Sequence, residues 1–170
     1  PVNNFSAAGG KFMILESEGG VPNTLRNQLL ALPNVTQVDI FDGQAGTPTL
    51  AQMQQYGTII ALTNSDYQNS TAVGDRLADF IDGGGKVVAT DWSWSGCCGS
   101  IQGRWLSGGY SPFNFPATPA NFLRSLGTFT GGHPLMQGVS ALNTEFGMTS
   151  TLTSGTTLVA SYTDGSPAVA

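Results

Sequence analysis

Short apolar runs alternate with helical stripes along the first half of the chain. KFMILE, Lys11 to Glu16, is a short apolar run of the kind a buried strand shows. After the turn SEGGVPN, Leu25, Leu29 and Leu32 recur at helical spacing, with Asn23 or Thr24 placed to cap the helix and Pro33 to end it. VTQVDIF, Val35 to Phe41, alternates apolar and polar positions and predicts a strand with one face covered less completely. The pattern then repeats. The loop DGQAGTP leads through a short helix, TLAQMQQY, into the strand TIIALTN, Thr58 to Asn64. Val73, Leu77, Phe80 and Ile81 form an apolar helical stripe, and the glycines from Gly83 stop it. KVVATDW, Lys86 to Trp92, predicts a fourth strand. This alternation implies right-handed crossovers and a central, mainly parallel sheet: an α/β fold.

The rhythm breaks after Trp92. Residues 93–120 are rich in Gly, Ser, Pro and aromatics without periodicity, and predict a long loop insertion that is functional or packs on its own aromatics. NFLRSLG predicts a short helical turn. From HPLMQGV onward the chain reads as β-rich, through TEFGMTSTLTSG, TTLVASYT, a turn at Asp164-Gly165 and SPAVA. Residues 1–10 are small, polar and Gly-ended, and predict a flexible arm ahead of a single domain over 11–170.

Composition narrows the function classes. Asp, Glu, Lys and Arg make up 10% of the 170 residues, against about 25% in an average globular protein. With 40% apolar residues the chain is expected to fold, and its weakly charged surface offers little repulsion between copies. The net charge of −5 and the scattered basic residues argue against nucleic acid, which needs clustered Lys or Arg. No apolar run reaches the roughly 20 residues of a membrane span. The chain opens at Pro1 with neither an initiator Met nor a signal-like segment, as a signal-cleaved product or an excised piece would. Asn4, Asn34 and Asn69 head Asn-x-Ser/Thr sequons, glycosylation candidates that fit a secreted protein.

The order of elements resembles the class I glutamine amidotransferase-like superfamily. The resemblance rests on KFMILE, LRNQLLAL and VDIFD, then LAQMQQYGTIIALTN with GDRLADFIDGGGKVVATD, then GRWLSGGYSPF, HPLMQGV and LVASYTDGSPAVA. It covers residues 11–170 and is nearest to non-catalytic secreted bacterial members and the trehalose-utilisation (ThuA-like) branch. It implies a three-layer flavodoxin-like fold. Enzymes of that superfamily carry a nucleophilic Cys on a Gly-flanked turn directly after a central strand, with a later His and Glu; the turn exposes the thiol and stabilises the oxyanion. Here the fourth strand runs into Asp91-Trp92, Cys97 and Cys98 come later, and the one histidine, His133, is followed by Pro. The resemblance also implies a further strand and a closing helix after SPAVA. The chain stops at Ala170, so either the visible chain ends early or a partner completes the sheet edge.

The candidate chemistry falls into three sets. Glu16, Ser17 and Glu18, with Asn64, Asp66 and Asp91, follow predicted strand ends, where open α/β sheets bind ligands. With Trp92 and Arg104 they are the candidate ligand-binding rim, unless they cap helices and close loops; Arg104 is placed to pair with a rim carboxylate such as Asp91. Trp92, Trp94, Trp105, Tyr110, Phe113 and Phe115 are a candidate interface or sugar platform, or a local mini-core. Cys97-Cys98 form a vicinal disulfide, pair between chains, or stay reduced. GGGK at 83–86 lies between helix and strand with Val87 after it, so it is a helix stop rather than a phosphate loop. No metal ligand spacing or cofactor motif is present. The reading is a non-catalytic, extracellular interaction or structural module that self-associates as a homo-oligomer or polymer, with a glycan as a further partner. A secreted hydrolase or carbohydrate-binding protein with its pocket at the strand rim is the alternative.

Overall fold

A computed structural model of the chain describes residues 10–20 and 22–170. The expected arm, with the Asn4 sequon, lies outside these residues except for Gly10. Gly10 belongs to the fold: it is buried, and its carbonyl accepts from the N–H groups of Thr36 at 2.9 Å and Gln37 at 3.4 Å. Its φ of 65° and the approach of the Asn34 carbonyl, 1.8 Å from where a Cβ would stand, require glycine.

The chain divides into two compact units, one of residues up to Ser93 with Cys97–Tyr110, the other of Trp94–Gly96 with Ser111–Ala170. The first is α/β. Strands β1 (Lys11–Glu16), β2 (Gln37–Asp42), β3 (Thr58–Leu62) and β4 (Lys86–Ala89) form one parallel sheet in the order β2-β1-β3-β4. The connecting helices are α1 (Asn23–Leu30), α2 (Leu50–Met53) and α3 (Ser70–Asp82). Alternate residues of β1 serve opposite faces, as a strand requires. Met13 and Leu15 join Ile59, Ala61, Val73, Leu77, Phe80, Ile101 and Trp105 in the larger core. Phe12 and Ile14 join Val38 on the other face, covered by Leu25 and Leu29 of α1.

The predicted elements of this unit form, with corrections at their ends. α3 is capped by Asn69, whose side chain accepts from the Ala72 N–H at 2.9 Å, and it stops at Gly83 as expected. α1 is not capped by Asn23 or Thr24. Both are already helical, Pro22 takes the N-cap position, and no side chain caps the helix there. β3 ends at Leu62 rather than Asn64, and β4 at Ala89 rather than Trp92. At that point the Thr90 N–H still donates to the Ala61 carbonyl at 3.1 Å, and the Thr90 hydroxyl donates to the same carbonyl at 3.2 Å and accepts from the Thr63 N–H at 3.1 Å. A 3-10 turn, Asp91–Trp94, follows. Beyond it, α4 (Arg104–Ser107) buries Trp105 in the larger core.

The second unit is built from short antiparallel ladders. Strands β5 (Thr118–Ala120) and β8 (Gly147–Thr149) pair with each other; β6 (Arg124–Phe129), β7 (Asn143–Thr144), β9 (Ala160–Tyr162) and β10 (Pro167–Val169) form a sheet in the order β10-β9-β6-β7. The RSLG of NFLRSLG is therefore strand, not a helical turn: β6 finds ladder partners on both edges, and tertiary pairing overrides its local helical pattern. HPLMQGV opens as a 3-10 turn over Pro134–Met136 rather than a strand. Met136, Val159 and Ala160 make a small core with Leu126, Val139 and Val169.

Candidate functional site

The parallel register places the C-terminal ends of β1, β3 and β4 on one edge of the sheet. In the order β2-β1-β3-β4 the chain reverses its direction of winding between β1 and β3, the position at which open α/β sheets form their ligand crevice. Glu16 and Ser17 stand at this edge, both buried, beside Thr63, Tyr67 and Ser93. Thr63 Oγ1 lies 2.9 Å from the Tyr67 hydroxyl and 3.0 Å from Ser93 Oγ, so the three hydroxyls satisfy one another. Burial pushes the Tyr67 phenol up to about 12, with the Thr63 hydroxyl pulling the other way.

The rim carboxylates close loops. Glu16 is the one buried acid among the described residues, and its Oε2 accepts from the Glu18 N–H at 2.7 Å, which folds the turn after β1. Asp66, exposed, accepts from the Gly99 N–H at 2.7 Å and so ties the segment after Cys98 to the loop after β3. Asn64 is exposed; Asp91 and Trp92 are half-buried. No group of three or more His, Cys, Asp or Glu arranged to hold a metal ion occurs among the described residues.

Arg104 does not pair with Asp91. It bonds Asp79 and, at 2.7 Å, Asp82, and lies 5.7 Å from the centre of the Tyr110 ring. The cause is direction: α3 runs back along the parallel sheet, so Asp82 at its C-terminus stands at the strands' starting edge, away from the rim. The Tyr110 hydroxyl donates to Asp82 at 2.6 Å, and together with Arg104 it holds that carboxyl below the usual range. This exposed network pins α4 to α3.

The aromatic candidates are mostly packed inside the chain. Trp105 is 2% exposed within the larger core of the first unit. Trp94 and Phe113, of the second unit, stack on each other with ring centres 4.4 Å apart and are 5% and 6% exposed. Tyr110 is half-buried in the Asp82 network, and Phe115 is exposed. His133 caps the turn that follows it, its Nδ1 accepting from the Leu135 N–H at 3.3 Å. Of the sequons, Asn34 is exposed, and Asn69 is exposed while its side-chain oxygen caps α3. Cys97 is exposed and Cys98 half-buried, with their sulfurs 2.7 Å apart.

Two features of the second unit escape sequence reading. Arg124 is 1% exposed; its Nη1 donates to the Met148 carbonyl at 3.2 Å and its guanidinium stacks 4.3 Å from the Tyr162 ring centre. The other is an apolar surface. The β5–β8 ladder ends at the pair Ala120–Gly147, and the β6–β7 ladder begins at Arg124–Thr144. The segments 121–123 and 145–146 lie between these two paired ends. They carry Phe122, Leu123 and Phe146, which are 54%, 64% and 67% exposed. Only the register, which no local pattern discloses, sets these two segments opposite each other. No helix among the described residues is long and apolar enough to cross a membrane. No protein-family model, curated protein or solved structure matches the chain.

Proposed function

We propose that the chain is a non-catalytic interaction or structural module that self-associates through the Phe122–Leu123–Phe146 surface. The observation that carries this reading is the exposure of three large apolar side chains on adjacent segments, in a unit whose own core is small. Leaving such side chains more than half in water forgoes part of the roughly 1.5–3 kcal/mol that full burial of each would contribute, and a second copy recovers it. Charge favours a like partner: between Ser111 and Ala170 the only Asp, Glu, Lys or Arg residues are Arg124, Glu145 and Asp164, so copies scarcely repel and no charged partner is selected. A two-fold contact sets the same patch against itself. On the catalytic side, Asp91-Trp92 follow β4 where an elbow cysteine would stand, and the imidazole is committed to its own turn.

The strand order β2-β1-β3-β4, with helices on both faces, supports a three-layer flavodoxin-like core of the glutamine amidotransferase-like kind. An extracellular location goes with this reading, and the exposed Asn34 sequon favours it. Material secreted by a eukaryotic host should then lose mass at Asn34 on endoglycosidase treatment; an unmodified Asn34 in secreted material counts against it. For the self-association itself, a tagged copy should retain an untagged copy on affinity resin. The double variant Phe122→Ser with Phe146→Ser should abolish that retention while keeping the wild-type circular dichroism spectrum. Equal retention by a folded double variant overturns the reading.

A further inference from the structure

The order β2-β1-β3-β4 leaves one side of β4 without a ladder partner among the described residues. The N–H groups of Lys86 and Thr90 donate inward, to the Gly57 and Ala61 carbonyls at 3.2 Å and 3.1 Å. Backbone groups alternate in direction along a strand, so the N–H and C=O of Val87 and Ala89 point outward, away from β3. No backbone group among the described residues pairs with them on that side. Between them Val88 is 41% exposed, on the face opposite the core against which Val87 and Ala89 pack. The other edge of the sheet is treated differently. There the Arg26 side chain closes onto β2, its Nε donating to the Val38 carbonyl at 2.9 Å. Edge strands are usually covered or charged, which keeps copies from pairing. From Val87 to Ala89, β4 bears no charge and keeps an apolar side chain in solvent.

We propose that β4 is a docking edge for a second copy of this chain, which adds its own β4 antiparallel across a two-fold axis through Val88. The alternation makes the edge self-complementary. With the axis at Val88, Val87 stands opposite the partner's Ala89; both present outward groups, so the pair exchanges two hydrogen bonds, and the axis repeats it. Val88 meets the partner's Val88 as the non-hydrogen-bonded pair between them, with Cα atoms about 4.5 Å apart, and each covers the other's exposed side chain. Any extended strand could take the backbone bonds. A second copy also brings the matching apolar side chain, adds no charge, and is present wherever the first is. Three residues per copy bury far less than the roughly 1,200 Å² of a stable interface, so this edge alone holds two copies only weakly. It is distinct from the Phe122–Leu123–Phe146 surface. Its consequence for assembly rests on the self-association read from that surface: each two-fold contact closes on itself, so a chain carrying two of them extends into an open line of copies.

The test uses Phe122→Ser with Phe146→Ser as its background, which removes the other contact and so separates the failure of one reading from the failure of the other. Adding Cys97→Ser, Cys98→Ser and Val88→Cys sets one thiol on the axis, at a Cα separation a disulfide can bridge. Under copper phenanthroline this variant should form disulfide-linked dimers roughly tenfold faster than its counterpart carrying Leu30→Cys in place of Val88→Cys, because pairing concentrates the two thiols. Leu30 is the matched control: it is 36% exposed and lies on α1, away from β4. In the background itself, the amide resonances of Val87 and Ala89 should shift as the protein is concentrated to about 1 mM, the range of a weak contact. Val88→Lys, which charges the edge, should abolish that shift. Cross-linking of Val88→Cys no faster than that of Leu30→Cys, or Val87 and Ala89 amides that stay unmoved over the whole series, would each overturn the proposal.

Discussion

Tyr67 shows how single groups at the rim set the response of the fold to pH. Burial raises its phenol to about 12, and burial together with the 2.7 Å bond to Asp39 raises Tyr56 to about 12 as well. Unfolded phenols ionise near pH 10. Below pH 10 both states hold their protons and the contribution to stability is complete; between 10 and 12 the unfolded chain releases its protons first, so stability falls through that window. Urea midpoints should therefore drop from pH 10 to 12, and Tyr67→Phe should make the drop shallower. A variant with the wild-type slope would show that Tyr67 ionises normally. The carboxylates at the same edge were legible in the sequence as a set, because each directly follows an apolar strand. Their roles were not, since hydrogen bonds such as Glu16 with the Glu18 N–H depend on loop conformations that no residue pattern encodes.

Among the elements, α3 packs against the segment before α4, where the Gln102 N–H donates to the Ser70 carbonyl at 3.2 Å. Gly74 lies inside this helix, where propensity alone favours alanine by about 1 kcal/mol. A Cβ at that position would stand 1.7 Å from the Gln102 carbonyl oxygen, which is backbone and cannot swing aside. Overpacking of this kind costs about 1–3 kcal/mol or more and outweighs the propensity gain. Gly74→Ala should accordingly lower the urea midpoint; a raised midpoint would mean that residues 101–103 yield freely. The periodic elements β1 to β4, α1 and α3 were legible because their apolar spacing matches one structure each. β6 was not. Leu123 and Leu126 flank Arg124 and Ser125 at helical spacing, and only pairing with β7 and β9 makes the segment a strand. Strands of two or three residues, such as β7 and β10, are too short to show any period.

For the molecule as a whole, the two units differ in how they treat apolar surface. The α/β unit buries Trp105, Leu77 and Ile59 completely or nearly so, while the β-rich unit leaves Phe122, Leu123, Phe129 and Phe146 in solvent. The aromatic residues singled out in the sequence as interface candidates, Trp94, Trp105 and Phe113, are packed inside the chain; the surface belongs to other aromatics further on. Low charge, the feature that first suggested association, stands in the composition and needs no structure to see. The surface that would use it is visible only once β5–β8 and β6–β7 are set in register. Sedimentation velocity over a concentration series tests this most directly. The weight-average mass should climb from the 17.7 kDa monomer to that of a dimer or larger species, and Phe122→Ser with Phe146→Ser should hold it at the monomer. A wild-type protein that sediments as a single monomer at the highest concentration would contradict it.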